Sequence, residues 1–258
     1  MILEGKTLIV TGVGTGLGSE IARVGLRDGA NLVLAARTRE NLEAAAKALD
    51  PSGARVEIIT ADITDPAQCD ALATAAEKRF GRIDALAQVA ANDTLFGGFD
   101  DVTPGDVEVA SRTNLAGSLQ VSKAVAARMQ ETGGSIVLIG AQASFYPQVP
   151  QLAYAASKGA LRTAMYYMAK ELGPQHIRVN TVVPTWMWGP PVEAYIEGEA
   201  QRRGVSSDEV IGEITSHFCI PEIPKDDDVA EAVAFLASDR ARMITGQYLL
   251  VNSGELMT

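Results

Sequence analysis

The fold of this chain is decided by the stretch Thr11-Gly12-Val13-Gly14-Thr15-Gly16-Leu17-Gly18. It follows Lys6-Thr7-Leu8-Ile9-Val10, a short apolar and β-branched run that is typical of a buried strand. From Gly16 onward the apolar residues take helical spacing, which predicts a helix that ends near Gly29. Glycines let such a turn bend sharply and approach a bound group, and the helix points its free N–H groups at that group. The stretch therefore predicts a pyrophosphate site at the start of a βαβ unit, the alternative being a purely structural tight turn.

The rest of the chain repeats the alternation of strand and helix. Several of the strand-like runs are apolar along their whole length, as expected when helices cover both faces of a sheet. The spacing predicts strands at Asn31–Ala35, Val56–Thr60, Ala85–Val89, Ser135–Ile139, Arg178–Val183 and Tyr248–Val251, and helices at Arg39–Leu49, Pro66–Phe80, Pro104–Glu131 and Leu152–Leu172. We expect an α/β fold, a doubly wound parallel sheet of about seven strands with the ligand outside the carboxyl ends of the strands.

Composition excludes several classes of function. The net charge of −10 over 258 residues disfavours nucleic acid as a partner. The N-terminus has no basic start followed by a long apolar run, and no segment approaches the length of a membrane span, so we expect a cytoplasmic protein without membrane partners. Cys69 and Cys219 fit no metal spacing and are expected to be two buried free thiols. With only two histidines, His176 and His217, a His-ligated metal centre or a Ser-His-Asp triad is not expected.

One segment, from Trp186 to about Ile223, interrupts the strand–helix alternation. It is rich in aromatic residues and prolines, and it lies between a strand and the last predicted helix. An insertion of this length is usually functional, often a lid over a site, and the alternative is a decorative pair of helices. No linker or shift in composition divides the chain, so we expect residues 1–258 to form one domain that carries this insertion.

The residues after the second and third strands bear on the cofactor. The second strand ends in Ala35-Ala36-Arg37, where a carboxylate at position 36 would bind ribose hydroxyls and repel a 2′-phosphate. The guanidinium of Arg37 suits a phosphate, which favours NADP(H), whereas the alternative is an arginine that merely covers a helix start. Asp62 follows the third strand and can accept a hydrogen bond from an adenine amino group. Its alternative role is to cap the next helix, for which Thr64 and Asp65 are better placed.

Tyr154 and Lys158 are separated by one helical turn near the start of a predicted helix. Residues at i and i+4 share a helix face, so the phenol and the ammonium can point into the same cavity. A free phenol has a pKa near 10, and we expect the neighbouring cation to lower the pKa of Tyr154 toward the working range of an acid–base group. A single spacing of this kind also arises by chance.

Together with the glycine stretch, this pair makes the chain resemble the short-chain dehydrogenase/reductases, which are single-domain, Rossmann-like and nicotinamide-dependent. The resemblance covers essentially all 258 residues. Thr11-Gly12-x-x-x-Gly16-x-Gly18 and Tyr154-x-x-x-Lys158 carry it, and further marks are Asp62-Ile63, Thr113-Asn114-Leu115-Ala116-Gly117, and Arg178-Val179-Asn180 leading to Pro184.

The resemblance implies a role for each matching residue. Tyr154 would exchange a proton with the substrate oxygen, Lys158 would hold the nicotinamide ribose and tune Tyr154, and Asn114 would support a water-mediated proton relay. The nicotinamide itself carries the hydride. The cofactor would be held by Gly12, Thr15, Gly16, Leu17, Gly18, Arg37, Asp62, Ile63, Ala90, Tyr154, Lys158, Pro184 and Met187. Association into a homodimer or homotetramer through the helices at Pro104–Glu131 and Leu152–Leu172 is implied in the same way.

The chain departs from the family pattern at several positions. The family's catalytic serine lies thirteen residues before the tyrosine, and that position is Ala141, which cannot donate a hydrogen bond to a carbonyl. Ser144 or Gln142 is the candidate substitute donor, and an ordinary loop serine is the alternative for Ser144. The usual Asn-Asn-Ala-Gly is Gln88-Val89-Ala90-Ala91, Pro184-Thr185 replaces Pro-Gly, and Gly189 stands where a threonine normally binds the nicotinamide carboxamide.

We therefore expect an oxidoreductase that transfers a hydride between NADP(H), with NAD(H) possible, and a ketone or secondary alcohol. A bulky hydrophobic substrate, such as a steroid, terpenoid, polyketide or aryl ketone, is expected because aromatic residues cluster near the site. These pocket residues are Trp186, Met187, Trp188, Phe145, Tyr146 and Tyr195, which could instead form the core of the lid. Two alternatives remain: a nucleotide-binding protein without turnover, and a non-redox lyase or isomerase that uses Tyr154 and Lys158. Ala141 is compatible with a substitute donor, with removal of the serine by mutation, or with such a non-redox role.

Overall fold

A single sheet of seven strands forms the centre of the molecule in the computed structural model, which describes residues 1–257. Every pairing within the sheet is parallel. The strands are β1 Thr7–Thr11, β2 Asn31–Ala36, β3 Val56–Thr60, β4 Ala85–Gln88, β5 Gly134–Ile139, β6 Ile177–Pro184 and β7 Tyr248–Val251, in the spatial order β3-β2-β1-β4-β5-β6-β7. The order reverses between β1 and β4, and this switch point opens a crevice at the carboxyl ends of the strands.

Helices cover both faces of this sheet. They are α1 Leu17–Arg27, α2 Arg39–Leu49, α3 Pro66–Phe80, α4 Pro104–Ser111, α5 Ser118–Met129, α6 Leu152–Leu172, α7 Pro190–Arg203, α8 Ser207–Thr215 and α9 Asp226–Ala237. One core cluster joins the sheet to α1, α2 and α9, and a second joins the opposite face to α3, α5 and α6. The predicted doubly wound architecture is confirmed.

The two-sided core explains why the strands are continuously apolar. In β5, Ile136 and Leu138 enter one cluster, whereas Val137 and Ile139 enter the other. Side chains alternate between the faces of a sheet, so a strand covered on both faces needs apolar residues at every position. The same requirement holds for β1 and β4, the two strands on either side of the switch point.

The helix predicted over Pro104–Glu131 is not continuous. The structure places a π-helical turn, Arg112–Gly117, between α4 and α5. Such turns insert a residue into a helix and are frequent at functional sites. The turn contains Asn114, which is fully buried and bonded to neighbouring segments, and it ends at Gly117, where a Cβ would come within 2.9 Å of Ile63. The sequence-based prediction did not include the interruption, because a π-helical turn is still helical and adds only one residue to the segment.

The insertion after β6 has a small core of its own. It contains α7 and α8, and Trp186–Tyr195 ring packing, with centroids 5.2 Å apart, ties its first residues to α7. Its buried members are Ile196, Ala200, Val210, Phe218 and Ile223. A backbone hydrogen bond from Trp188 N to Pro224 O, 2.7 Å long, closes the segment back on itself.

Two features concern the solvent-facing parts of the chain. Cys69 is a buried free thiol as expected, but Cys219 is exposed, because it lies at the end of the insertion against the C-terminal turn rather than in a core cluster. Within residues 1–257, no helix combines the length and the apolar character needed to cross a membrane.

Candidate active site

The glycine turn lies at the switch point between β1 and β4. Gly12 has φ +72°, and a Cβ there would come within 2.5 Å of Ala90 N at the end of β4. Gly18 packs against the Gly12 carbonyl so closely that it has no room for a side chain. Glycine is therefore required at both positions for the turn to close against the neighbouring strand.

The first turn of α1 is open toward the crevice. Gly16 is its N-cap residue, and no side chain among residues 1–257 caps it. The hydroxyl of Ser19 donates to the Gly14 carbonyl and holds the turn, while Thr15 is exposed and Leu17 is buried beneath it. Uncapped N–H groups at a helix N-terminus form a binding site for an anion, so this cradle fits the pyrophosphate of a dinucleotide.

Two side chains extend this cradle along the ends of β2 and β3. Arg37 is exposed and, within residues 1–257, forms no ion pair, whereas the nearby Arg39 pairs with Glu43 at 2.8 Å. One oxygen of Asp62, Oδ1, accepts from the backbone N–H and the hydroxyl of Thr64, each at 2.8 Å. The helix cap is provided by Asp65 instead, as expected, which leaves the second oxygen of Asp62 for a ligand. Ile63 is buried beside Gly117 and shapes the floor.

On the other side of the switch point, α6 presents Tyr154 and Lys158. The Lys158 ammonium is buried, donates to the Ile139 carbonyl at 2.8 Å and lies 5.7 Å from the centroid of the Tyr154 ring. Burial lowers the pKa of Lys158 to about 8, with the carboxylate of Asp93 opposing the shift. The structure therefore brings the predicted pair together on one helix face.

The expected direction for the pKa of Tyr154 is wrong for this chain. Burial raises that pKa above its ordinary value, and the carboxylate of Asp93 raises it further. The ammonium of Lys158 is engaged with the Ile139 carbonyl, so desolvation of the phenolate dominates. A raised pKa makes the Tyr154 phenol a weaker acid than a free phenol, so a nearby positive charge is needed to stabilise the phenolate if the proton is to be given up.

Asn114 joins the loop after β4 to α6. Its Oδ1 accepts from Asn92 N at 2.6 Å, and its Nδ2 donates to Asn92 O and to Ser157 Oγ, each at 2.9 Å. Ser157 Oγ in turn donates to the Tyr154 carbonyl at 2.6 Å. The side chain of Asn114 is thus fully committed to positioning the first turn of α6.

A second set of buried hydrogen bonds connects Asn114 to the glycine turn. Ser118 Oγ donates to the Asn114 carbonyl at 2.8 Å and accepts from Gln88 Nε2 at 3.0 Å. Gln88 also donates to the Ala90 carbonyl at 2.9 Å and accepts from the hydroxyl of Thr11. Gln88, which replaces the family's asparagine, therefore anchors the end of β4 by reaching across to α5.

The structure does not place a substitute for the missing serine at Ala141. Ser144 Oγ donates to the Ala141 carbonyl at 2.8 Å. Ser144 also lines a cavity of about 440 Å³ with Ala155, Ala156 and Gly159, and neither Tyr154 nor Lys158 lines that cavity. The amide of Gln142 is bonded at both ends, to Asn252 and to Glu255. Both side chains thus form local hydrogen bonds in this structure, and the predicted role of Ser144 or Gln142 as a donor stays a prediction.

The expected pocket residues fall into two groups. Trp186 and Trp188 are half-buried and pack on the core of the insertion, and Met187 packs against the main core near α1 and α9. Phe145 stacks with Tyr248, at 5.2 Å between ring centroids, and under Arg162. The remaining two aromatics, Tyr146 and Tyr195, are each 47% exposed. The aromatic residues are thus partly lid core, the alternative interpretation, and partly accessible from the crevice. Pro184, which ends β6, is buried between these groups.

Three contributors to the site were not found by sequence reasoning. Asp93 acts on Tyr154 and Lys158 through its charge, Ser157 links Asn114 to α6, and Asp226 lies near Gly16. Ser157 lies inside the Tyr154–Lys158 motif, which is a signal that could have been followed. The two aspartates carry no motif, because only the folded chain brings them to the crevice. No group of metal-ligating side chains that could hold an ion is present in residues 1–257.

Comparisons with known proteins agree with this geometry. A family model described as enoyl-(acyl carrier protein) reductase matches residues 12–255. The chain is 32% identical to versicolorin reductase 1 of Aspergillus parasiticus, over 98% of this chain and 97% of that protein. It is also 32% identical to D-threitol dehydrogenase of Mycolicibacterium smegmatis, over 98% and 93% of the two chains.

A solved structure extends the likeness to three dimensions. The short-chain dehydrogenase/reductase (glucose/ribitol dehydrogenase) of Brucella melitensis superposes with a TM-score of 0.89 at 28% identity, covering 100% of this chain and 99% of that one. The family model, the relatives and this structure all cover the glycine turn and the Tyr154–Lys158 pair. The chain therefore belongs to the short-chain dehydrogenase/reductase family, as an NAD(P)(H)-dependent oxidoreductase that acts on CH–OH groups.

Proposed function

We propose that this oxidoreductase interconverts a bulky hydrophobic ketone and its secondary alcohol, with NADP(H) as the preferred cofactor. The observation that carries the proposal is the Tyr154–Lys158 pair on α6, fixed opposite an uncapped α1 N-terminus at the switch point. The bound nicotinamide supplies the hydride. The side chains of the chain itself position the substrate oxygen and move its proton.

Tyr154 is the proton donor in the reductive direction. Its phenol transfers the proton to the ketone oxygen as the carbonyl carbon becomes a secondary alcohol carbon, and the reverse transfer serves oxidation. The raised pKa keeps the phenol protonated before transfer. The ammonium of Lys158 lies near enough to stabilise the phenolate formed, and Asn114 holds the turn of α6 that carries both groups.

The preference for NADP(H) rests on Arg37. Its guanidinium is exposed at the end of β2, free of ion pairs among the described residues, and follows the small neutral Ala36. A planar guanidinium binds a phosphate through two parallel hydrogen bonds. The Asp62 carboxylate oxygen that Thr64 does not use would accept a hydrogen bond from the adenine amino group.

The substrate class rests on the loops that face Tyr154. We propose that the insertion acts as a lid within a single catalytic domain of residues 1–258 and that its half-buried Trp186 and Trp188, with the partly exposed Tyr195, would contact the substrate. Apolar walls with few polar groups favour a large hydrophobic ligand. We also propose a cytoplasmic enzyme that forms a dimer or tetramer through α4, α5 and α6, on the exposed faces that include Val109 and Tyr166.

Asp226 opposes cofactor binding. A Cβ at Gly16 would lie 3.5 Å from Asp226 Oδ2, so this carboxylate borders the turn that receives the pyrophosphate. Burial raises the pKa of Asp226 above its ordinary value, and the charges of Glu20 and Asp227 raise it further. Like charges so close to a phosphate weaken its binding.

The proposed function is tested by the absorbance of reduced nicotinamide with a panel of steroid, terpenoid, polyketide and aryl ketones, and with D-threitol as a small polar comparator. Turnover with at least one bulky ketone is expected. Tyr154→Phe should lower kcat by about 10²- to 10⁴-fold because the proton donor is lost. Tyr167→Phe, an exposed tyrosine of the same helix, is the control. Cofactor binding without turnover of any substrate, or product without net redox change, would refute the proposal.

Arg37→Ala should weaken NADPH binding about 10- to 100-fold and change NADH binding little, because only NADPH has the 2′-phosphate. Nicotinamide fluorescence titration gives both dissociation constants. Arg39→Ala, whose guanidinium pairs with Glu43, is the matched control and should have a small effect. Equal losses for both cofactors would exclude the phosphate role.

Ala141→Ser should raise kcat/KM for ketone reduction by about tenfold or more, because one hydrogen-bond donor to a developing oxyanion commonly contributes 10²–10³ in rate. The backbone at Ala141 is extended, with φ −153° and ψ 136°, and accepts serine without strain. Ala143→Ser, which adds a hydroxyl to the cavity that Ser144 lines, is the control. An unchanged rate in Ala141→Ser would mean that another group already donates to the oxygen.

Asp226→Asn should tighten the binding of NADPH and NADH by about the same factor, roughly three- to tenfold, and added salt should shrink the gain. Because the pKa of Asp226 is raised, lowering the pH toward that pKa should tighten binding in the parent chain and not in the variant. Asp208→Asn, on the first turn of the distant α8, controls for net charge. The idea fails if the variant binds either cofactor more weakly.

A further inference from the structure

The C-terminal segment Asn252–Leu256, which we call the C-terminal clasp, folds back over the carboxyl ends of β5 and β6. Its Glu255 is half-buried and accepts from three side chains in two different loops. Gln142 Nε2 donates to Glu255 Oε2 at 2.7 Å, Thr185 Oγ1 donates to the same oxygen, and Gln148 Nε2 donates to Oε1. One carboxylate therefore ties the loop after β5 to the loop after β6.

Asn252 reinforces the first of these ties. It is 5% exposed, and its Nδ2 donates to Gln142 Oε1 at 2.6 Å and to the Leu256 carbonyl at 2.9 Å. The buried amide of Gln142 is thus bonded at both ends by the clasp. Gln142 directly follows Ala141, so the clasp also fixes the backbone next to Ala141, the position of the family's catalytic serine.

The clasp also holds the end of the insertion. Ile220 N donates to the Ser253 carbonyl at 2.9 Å, and Ser253 Oγ donates to the Glu222 carbonyl at 2.8 Å. Gly254 has φ +75°, and a Cβ there would come within 2.7 Å of the Cβ of Cys219. The loop after β5, the loop after β6 and the end of the insertion therefore all contact the C-terminal clasp.

The charge of Glu255 sets this cluster apart from an ordinary surface ion pair. Its donors are two amides and a hydroxyl, and it takes part in no salt bridge among the described residues. A carboxylate is an acceptor at both oxygens and matches three donors that have no other charged partner. A glutamine at position 255 would point its own NH₂ group at one of these three donors, where it has no acceptor.

The clasp contacts the end of the crevice that would receive the substrate and the nicotinamide. Thr185 immediately precedes Trp186, and Gln142 follows Ala141, whereas the glycine turn, Arg37 and Asp62 lie at the ends of β1 to β3. We propose that Glu255 is a positioning residue that fixes the loops after β5 and β6 relative to each other, and thereby sets substrate affinity and selectivity. Its effect on the affinity for the dinucleotide should be small, because that affinity would rest mainly on the glycine turn, Arg37 and Asp62. The kinetic part of this inference rests on the proposed function; the structural part does not.

The test compares the parent chain with Glu255→Gln, which keeps the shape and loses the charge. Glu222→Gln, on the exposed part of the insertion, is the matched control because only its backbone carbonyl is used. Hydrogen exchange of amides 141–150 and 185–189 should quicken by about tenfold in Glu255→Gln alone, and exchange at residues 12–18 should not change. The dissociation constant of NADPH should stay within about twofold.

For a ketone that the parent chain reduces, KM should rise about tenfold in Glu255→Gln while kcat falls much less. The ratio of kcat/KM for large ketones to that for small ketones should also decrease. Thr185→Val removes one donor and should give the same pattern, with effects that do not add in the double variant. If Glu255→Gln folds poorly, Thr185→Val by itself tests the positioning role of Glu255.

Unchanged exchange at 141–150 in both variants, or a parallel loss of NADPH affinity, would overturn the positioning role. If the parent chain itself turns over no substrate, the proposed function fails, but the exchange and NADPH measurements still decide the role of Glu255.

Discussion

A line of buried hydrogen bonds joins the glycine turn to the catalytic helix, and the geometry of the site depends on it. It passes from Thr11 through Gln88, Ser118, Asn114 and Ser157 to the carbonyl of Tyr154. Buried polar groups are costly unless they are paired, so these side chains favour one arrangement of β1, β4, α5 and α6 over any that leaves a member unbonded. The glycine turn and the helix that carries Tyr154 are thereby held in one frame.

Within that frame, burial sets the chemistry of α6. Desolvation acts in opposite directions on the two groups, raising the pKa of the Tyr154 phenol and lowering that of the Lys158 ammonium. Asp93 favours the protonated form of both. The pair is thus a phenol that holds its proton firmly beside a buried cation. In the proposed mechanism, that cation would stabilise the phenolate when the proton passes to a substrate oxygen. Ala141 leaves that oxygen with fewer donors than the family pattern supplies.

Much of the fold could be predicted because its signals are local. The bounds predicted for β3, β7, α2, α3 and α6 are those of the structure, since apolar runs, proline starts and glycine ends mark them directly. The π-helical turn at Arg112–Gly117 was missed because it adds a single residue within an otherwise unbroken helical segment. The direction of the Tyr154 pKa was missed for a related reason: spacing shows that a cation is near, but not how deeply the phenol is buried or which carbonyl the cation bonds.

By itself, the sequence determined the alternation of strands and helices, the glycine turn, the Tyr154–Lys158 pair and the absence of serine at position 141, because each is written in adjacent residues or in one helical repeat. Only the tertiary structure decided that Ser144 and Gln142 are already bonded, that Asp226 borders the glycine turn, and that Glu255 ties two loops together. Except for the bond of Ser144 to the Ala141 carbonyl, those facts join residues tens to more than a hundred positions apart. Such contacts exist only once the parallel sheet has brought the ends of its strands to a common edge.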